Sequence, residues 1–313
     1  MMLPHKHNTP DSKWFAVFVL VMITIIFGSM FVIVTLWNFV VDTWESPWDN
    51  SQMVNTHSLK FSSGNAKLDK RIASISLPSG FTCPGALECL SKANRETGKI
   101  TDGPETLFRC FSATSEAAFP SVRSNRWGNF ELLKGCKTLE EMVDLILESL
   151  PKEDIIRIHV GGDFFKQLYF DAWLEVSRRC PDKIFYAYTK SLNFWIARID
   201  TVGRAGTENF KLTASRGGKS DWLITEHGLK CAEVVFSEEQ AEAMGLEIDH
   251  DDTHAFESDE SFALLLHGTQ PKGSEAADAL KVLKKKGKGS YSSKKKKEVL
   301  AIVNKQDYNR KAA

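Results

Sequence analysis

Three cysteines fall in one stretch of the chain, Cys83 and Cys89 in "TCPGALEC" and Cys110 in "FRCFSA". Five residues separate the first pair and twenty the second. Thiolates are soft ligands suited to zinc and to iron–sulfur clusters. Three of them leave one coordination position for a ligand or substrate. Cys136 is a candidate fourth ligand. Cys180, just before Pro181, and Cys231, at the start of an apolar run, read as packing residues. No C-x-x-C pair is present, although zinc ribbons usually carry one. A metal or cluster site, buried free thiols and a disulfide, which an oxidising compartment would favour, all stay open on spacing alone.

A second group of polar residues follows apolar runs. In "IIRIHVGGDFF", Asp163 sits on the Gly161–Gly162 turn, where it could meet a ligand or cap the next helix. Lys190 closes "FYAYTK" and could hold a carboxylate or phosphate, or simply meet water. Ser215, Arg216, Gly217 and Gly218 form a turn rich in backbone donors, suited to an anion or a ribose-phosphate edge or to an ordinary strand-to-helix turn. His159 reads as a core residue, and Arg157, if it points inward, needs an acidic neighbour. "EIDHDDTHAF" places Asp249, His250, Asp251, Asp252 and His254 together, the composition of a metal site and equally of an acidic surface loop.

The elements that must position these residues alternate. Strands are expected over 71–78, 154–165 (running into its glycine turn), 183–191, 209–218, 231–237 and 261–268. Helices are expected between and after them, over 137–151, from Lys166 to Pro181, over 192–202, in "DWLITEHGL", in "EEQAEAMGL" and in "SEAADALKVLKKK". Thr138 with Glu141 makes a capping box, and Ser237 is a candidate N-cap. About six alternations predict an α/β body with a parallel sheet. A doubly wound sheet and a barrel both fit, and both gather function at the C-terminal ends of the strands. The expectation adopted is a partial or irregular β/α barrel, with the polar turns above forming its rim.

With 42% hydrophobic and 26% charged residues, the chain has the composition of a globular protein. Its formal net charge of zero hides unlike segments. Residues 1–13 lead into Trp14–Val41, which contains no charge and is long enough to cross a bilayer as one helix. A single-pass membrane placement is therefore expected, with 42–61 as a linker and 62–280 as the α/β body. The flanking Lys and Arg leave the side of the body undecided. Met53 offers an alternative start that would omit the apolar segment. Residues 281–313 hold eleven Lys and one Arg, leaving 28 basic and 38 acidic residues in 1–280. This basic tail is expected to be a disordered arm suited to nucleic acid or anionic lipid.

The motifs "SSGNAKLDKRIASISLPSGFTCPGALEC", "FRCFSA", "RIHVGGDFF", "FYAYTKS" and "LLLHGTQ" together resemble the phage gene product 88 family over about 62–280. That resemblance brings no activity with it. More distantly, the layout resembles radical S-adenosylmethionine enzymes. That resemblance implies a partial β/α barrel whose Cys83, Cys89 and Cys110 hold a [4Fe–4S] cluster, with Phe111 beside the third cysteine. It also implies that Gly161, Gly162 and Asp163 receive the amino group of S-adenosylmethionine. The usual C-x-x-x-C-x-x-C spacing of those enzymes is absent. Two functions are then expected. One is an iron–sulfur enzyme using Gly161, Gly162, Asp163, Lys190 and Ser215 around its cofactor. The other is a zinc- or disulfide-stabilised binding module whose tail contacts nucleic acid or membrane.

Overall fold

The computed structural model describes residues 58–64 and 68–288. All belong to the second of two compact units, His57–Ala313. The first stretch holds β1 (Phe61–Ser63) and β2 (Ile72–Ile75), then a small hairpin of β3 (Ser91–Ala93) and β4 (Ile100–Asp102). Three helices come next: α1 (Phe111–Ala118), α2 (Pro120–Gly135) and α3 (Leu139–Ser149). Strand and helix then alternate through β5 (Ile155–Ile158), α4 (Gln167–Arg179), β6 (Ile184–Thr189), α5 (Leu192–Ile196), β7 (Phe210–Ser215) and α6 (Trp222–Glu226). The body closes with β8 (Cys231–Val235), α7 (Glu238–Ala243), β9 (Glu247–Ile248), α8 (Thr253–Glu257), β10 (Phe262–Leu265) and α9 (Glu275–Lys285).

Eight strands form one sheet in the order β1-β2-β5-β6-β7-β8-β10-β9. β1 is antiparallel to β2, and every other pair is parallel. The predicted alternation of strands and helices is therefore present, but the barrel is not. The sheet is open, with β1 at one edge and β9 at the other. A closed parallel barrel takes eight βα units; here a three-residue antiparallel strand and a two-residue strand occupy the edges instead. The doubly wound alternative fails too, because β2, β5, β6, β7, β8 and β10 keep chain order without reversal. Right-handed crossovers that all advance in one direction place their helices on one face.

Period-two alternation sorts the strands between two cores. Ala73, Ile75, Ile156, Ile158, Phe185, Ala187, Phe210 and Leu212 face α3 and α4 in the main core. Ile72, Tyr186, Ala232 and Phe262 point the other way and are covered by Leu68 and by Ala255 and Phe256 of α8. α3 shows the link from sequence to packing plainly. Thr138 accepts from the Glu141 amide while the Glu141 carboxylate accepts from the Thr138 amide, so the predicted capping box forms. Met142, Val143 and Ile146 are fully buried on its inner face.

The apolar segment 14–41 and the residues beyond 288, including most of the basic tail, lie outside the described residues, as does Met53. Among the described residues no helix is long and apolar enough to cross a membrane. The longest, α2, has 16 residues and is mostly polar. The single-pass membrane placement is accordingly not supported. Residues 281–285, expected to begin the arm, belong instead to α9, where Leu283 is buried.

Candidate functional site

The long connection from β2 to α1 lies across the C-terminal ends of the parallel strands. Its docking is mostly backbone to backbone. The Leu77 amide donates to Gly161 O at 2.7 Å, and the Leu87 and Glu88 amides donate to Gly217 O. Ala86 forms an isolated bridge with Gly218. The connection thus reaches the turns after β5 and β7, and Cys83, Cys89 and Cys110 ride on it.

Gly161 and Gly162 make this fit possible. A Cβ on Gly161 would stand 1.9 Å from Ser112 Oγ of α1. Gly162 has φ +85°, a conformation open to glycine at little cost, and a Cβ there would meet Thr82 Oγ1 at 2.6 Å. A close approach does occur at this turn, and the approaching group is the chain's own cysteine-bearing segment.

Asp163, 4% exposed, ties the β5 turn to the β6 turn. Its Oδ1 accepts from Thr189 Oγ1 and from the Phe164 amide, both at 2.7 Å, and its Oδ2 accepts from the Lys190 amide at 2.8 Å. It does not cap α4. Burial raises its pKa to about 6, and these three hydrogen bonds pull the other way without overcoming it. Lys190 carries the tie onward. Its Nζ donates to Ser215 O at 3.0 Å, to Ser215 Oγ at 2.8 Å and to Arg216 O. Asp163, Lys190 and Ser215 are therefore brought together as a chain of clamps across three successive strand ends. A cavity of about 110 Å³ lies beside them, lined by Pro84, Gly85, Lys190, Ser191, Asn193, Phe194, Lys219 and Ser220.

The three cysteines come together at the same rim. No disulfide joins them; all six cysteines are free. Burial pushes the Cys83 thiol well above its ordinary pKa, and the charges of Asp163, Cys110 and Cys89 push the same way. Cys89 is raised to about 11, again chiefly by burial, with Lys190 opposing and Cys110 and Asp163 adding. Cys110 is the N-cap of α1. Burial raises its thiol too, against backbone hydrogen bonds from Ala113 and Ser112. With their pKa values raised in this way, all three are neutral thiols at pH 7.

Several expectations change here. The disulfide reading finds no support, since all six cysteines are free. The single-ion reading is also overturned: among the described residues no three His, Cys, Asp or Glu side chains are arranged to hold a metal ion. Cys136 lies apart at the end of α2, against the main core. The "EIDHDDTHAF" segment is built as a structural turn. Asp249 accepts from the Asp252 amide and from His254 Nδ1, and Asp251 accepts from Thr253. Arg157 does point inward, and Asp252 is its acidic partner. His159 is a core residue at φ +69°, with Nε2 3.0 Å from Tyr169 Oη and a pKa driven down to about 3 by burial.

One part of the site left no sequence signal. Glu116 of α1 is fully buried and accepts from the Ser79 amide, Ser79 Oγ and Arg126 Nη1 at 2.9, 2.7 and 2.6 Å. Arg126 also donates to Ser112 O and Oγ. This network fastens α1 and α2 to the start of the cysteine segment.

A family model described as Gene product 88 matches residues 55–285. The chain belongs to the gene product 88 family. The gene 88 protein of Mycobacterium phage L5 is 34% identical to it over 130 residues, 37% of this chain and 47% of that protein. The chain thus spans about half the length of this curated relative. No solved structure matches. Membership bears out the resemblance carried by the five motifs, and the family match contains every rim residue described above. The likeness to radical S-adenosylmethionine enzymes finds no such support, since the sheet is not a barrel.

Proposed function

We propose that the rim is the site of an enzyme that holds an iron–sulfur cluster on Cys83, Cys89 and Cys110. The observation that carries this reading is the gathering of three half-buried, unbridged thiols at the C-terminal ends of a parallel sheet. A single ion needs its donors to converge on one point, which these do not. A cluster differs, because it takes each thiolate at a separate iron. Three protein ligands leave a further iron for a small co-ligand, and S-adenosylmethionine is the one this reading names. The cluster would supply electron transfer.

The chain's own residues set how the thiols behave. The Ser112 and Ala113 amides favour the Cys110 thiolate, and Lys190 favours that of Cys89. Asp163 opposes ionisation of Cys83 and Cys89. Loading must therefore expel protons from thiols with raised pKa, so uptake strengthens with rising pH. The clamps from Asp163 through Lys190 to Ser215 hold the rim in shape while this happens.

The test is anaerobic purification of the full chain with iron, acid-labile sulfide and zinc quantified. About four irons with matching sulfide, lost on Cys83→Ala, Cys89→Ala or Cys110→Ala and kept on Cys136→Ala, are expected. Zinc alone, or three thiols that titrate as free with no iron, overturns the reading. Binding of S-adenosylmethionine to the loaded protein by calorimetry then tests the co-ligand.

A further inference from the structure

Beside the rim, four aromatic rings from three separate segments form a row, with Phe130 and Phe165 packed in part against the main core. Phe81 of the cysteine segment lies 5.0 Å from Trp127 of α2, centroid to centroid. Trp127 lies 5.9 Å from Phe130, and Phe130 lies 5.1 Å from Phe165, which comes after β5. Each ring carries a cation. Lys92 stands 5.3 Å over Phe81 and Arg95 5.0 Å over Trp127. Lys134 stands 5.8 Å over Phe130 and Lys166 5.5 Å over Phe165. Two carboxylates meet these cations: Glu131 pairs with Arg95, and Glu96 lies 4.0 Å from the same guanidinium. The row is thus a positive stripe on a body that is acidic in total.

We propose that this row is an interface for single-stranded nucleic acid. The chemistry that such a strand needs is a line of rings for its bases and a line of cations for its phosphates, interleaved. A duplex hides its base faces and could use only the cations. One detail favours a partner over simple surface packing: Phe81 keeps 42% of its surface exposed. The inference does not rest on the cluster reading, because no thiol is asked to bind the strand.

The experiment is fluorescence anisotropy of the full chain with labelled 20-nucleotide oligo(dT), oligo(U) and a 20-base-pair duplex, across a salt series. The basic tail is present throughout, so Lys294, Lys295, Lys296 and Lys297 are replaced together by Ala in one variant. Two other variants address the row, Phe81→Ala and the pair Lys92→Glu with Arg95→Glu. Thermal melts establish that each is folded. Single strands are expected to bind more tightly than the duplex. Phe81→Ala should weaken them about ten-fold with an unchanged salt slope, as loss of one stacking ring does. The charge pair should weaken them more and lower the salt slope by about 1 to 2. Loss of binding in the tail variant alone, equal affinity for duplex and single strand, or no binding overturns the proposal. So does binding to anionic phosphatidylserine vesicles that these row variants reduce while oligonucleotide binding stays unchanged. Oligo(dT) against oligo(U) separates DNA from RNA as the strand.

Discussion

Two buried carboxylates of this body meet different company. Asp252, fully buried under α8, forms an ion pair with Arg157 and accepts from Tyr186 Oη at 3.0 Å and Tyr188 Oη at 3.2 Å. Asp163, at the rim, accepts only from neutral donors: one hydroxyl and two amides. A guanidinium at contact distance holds a buried carboxylate charged, whereas neutral donors leave burial partly uncompensated. The first arrangement is a lock between α8 and the sheet. The second leaves a group that titrates near pH 6 beside three thiols. Location matches chemistry, since the lock lies under the covered face and the titrating group lies where the strand ends open.

The largest effect should come from breaking the lock. Asp252→Asn keeps a residue that tolerates the φ of +73° at this position and removes the carboxylate beside a buried guanidinium. A loss of about 3–5 kcal/mol is expected in urea unfolding; a loss below about 1 kcal/mol would show that the pair contributes little.

Asp163 should behave in the opposite sense with pH. Its folded pKa rises from 3.8 to about 6. The folded state therefore holds a proton that the unfolded chain releases, and stability from this group falls as pH rises through about 4 to 6, then levels off. At roughly 1.4 kcal/mol per unit, the fall is at most about 3 kcal/mol. Measured as the difference between wild type and Asp163→Asn, the variant's relative stability should climb over that window. A difference independent of pH would mean that Asp163 ionises normally.

Smaller changes sharpen the contrast. Tyr186→Phe removes one hydrogen-bond donor to Asp252 and should cost about 1 kcal/mol with no new pH dependence. Thr189→Val removes a donor that favours the charged form of Asp163. The midpoint of the pH-dependent step should move up by a fraction of a unit, read from the same unfolding series. No movement would mean that the Thr189 hydroxyl does not bear on the carboxylate.

The order of strands and helices was legible in the sequence where apolar residues keep one period. α3 is such a case, with its capping box and its Met142–Val143–Ile146 face. α2 was not. Its buried residues are Arg123, Arg126, Asn129 and Leu133, so the stripe that faces inward is mostly polar. Those side chains bury themselves only because Glu116 and the backbone carbonyls of Arg95, Glu96 and Ser112 wait to receive them. The β3–β4 hairpin and the two-residue β9 were missed because segments so short carry no period at all.

The site divides in the same way. Residue type and position at the strand ends already marked Cys83, Cys89, Cys110, Gly161, Gly162, Asp163, Lys190 and Ser215, because a parallel sheet gathers the turns at its strand ends along one rim. The role of each residue there was decided by tertiary contacts. Lys190 commits its ammonium to the next turn, and Asp163 commits its carboxylate to the Thr189–Lys190 turn. The open sheet was likewise beyond the pattern. Local periodicity sets whether a segment is strand or helix, but edges form where two non-neighbouring strands fail to pair. That choice rests on contacts between residues far apart in the chain.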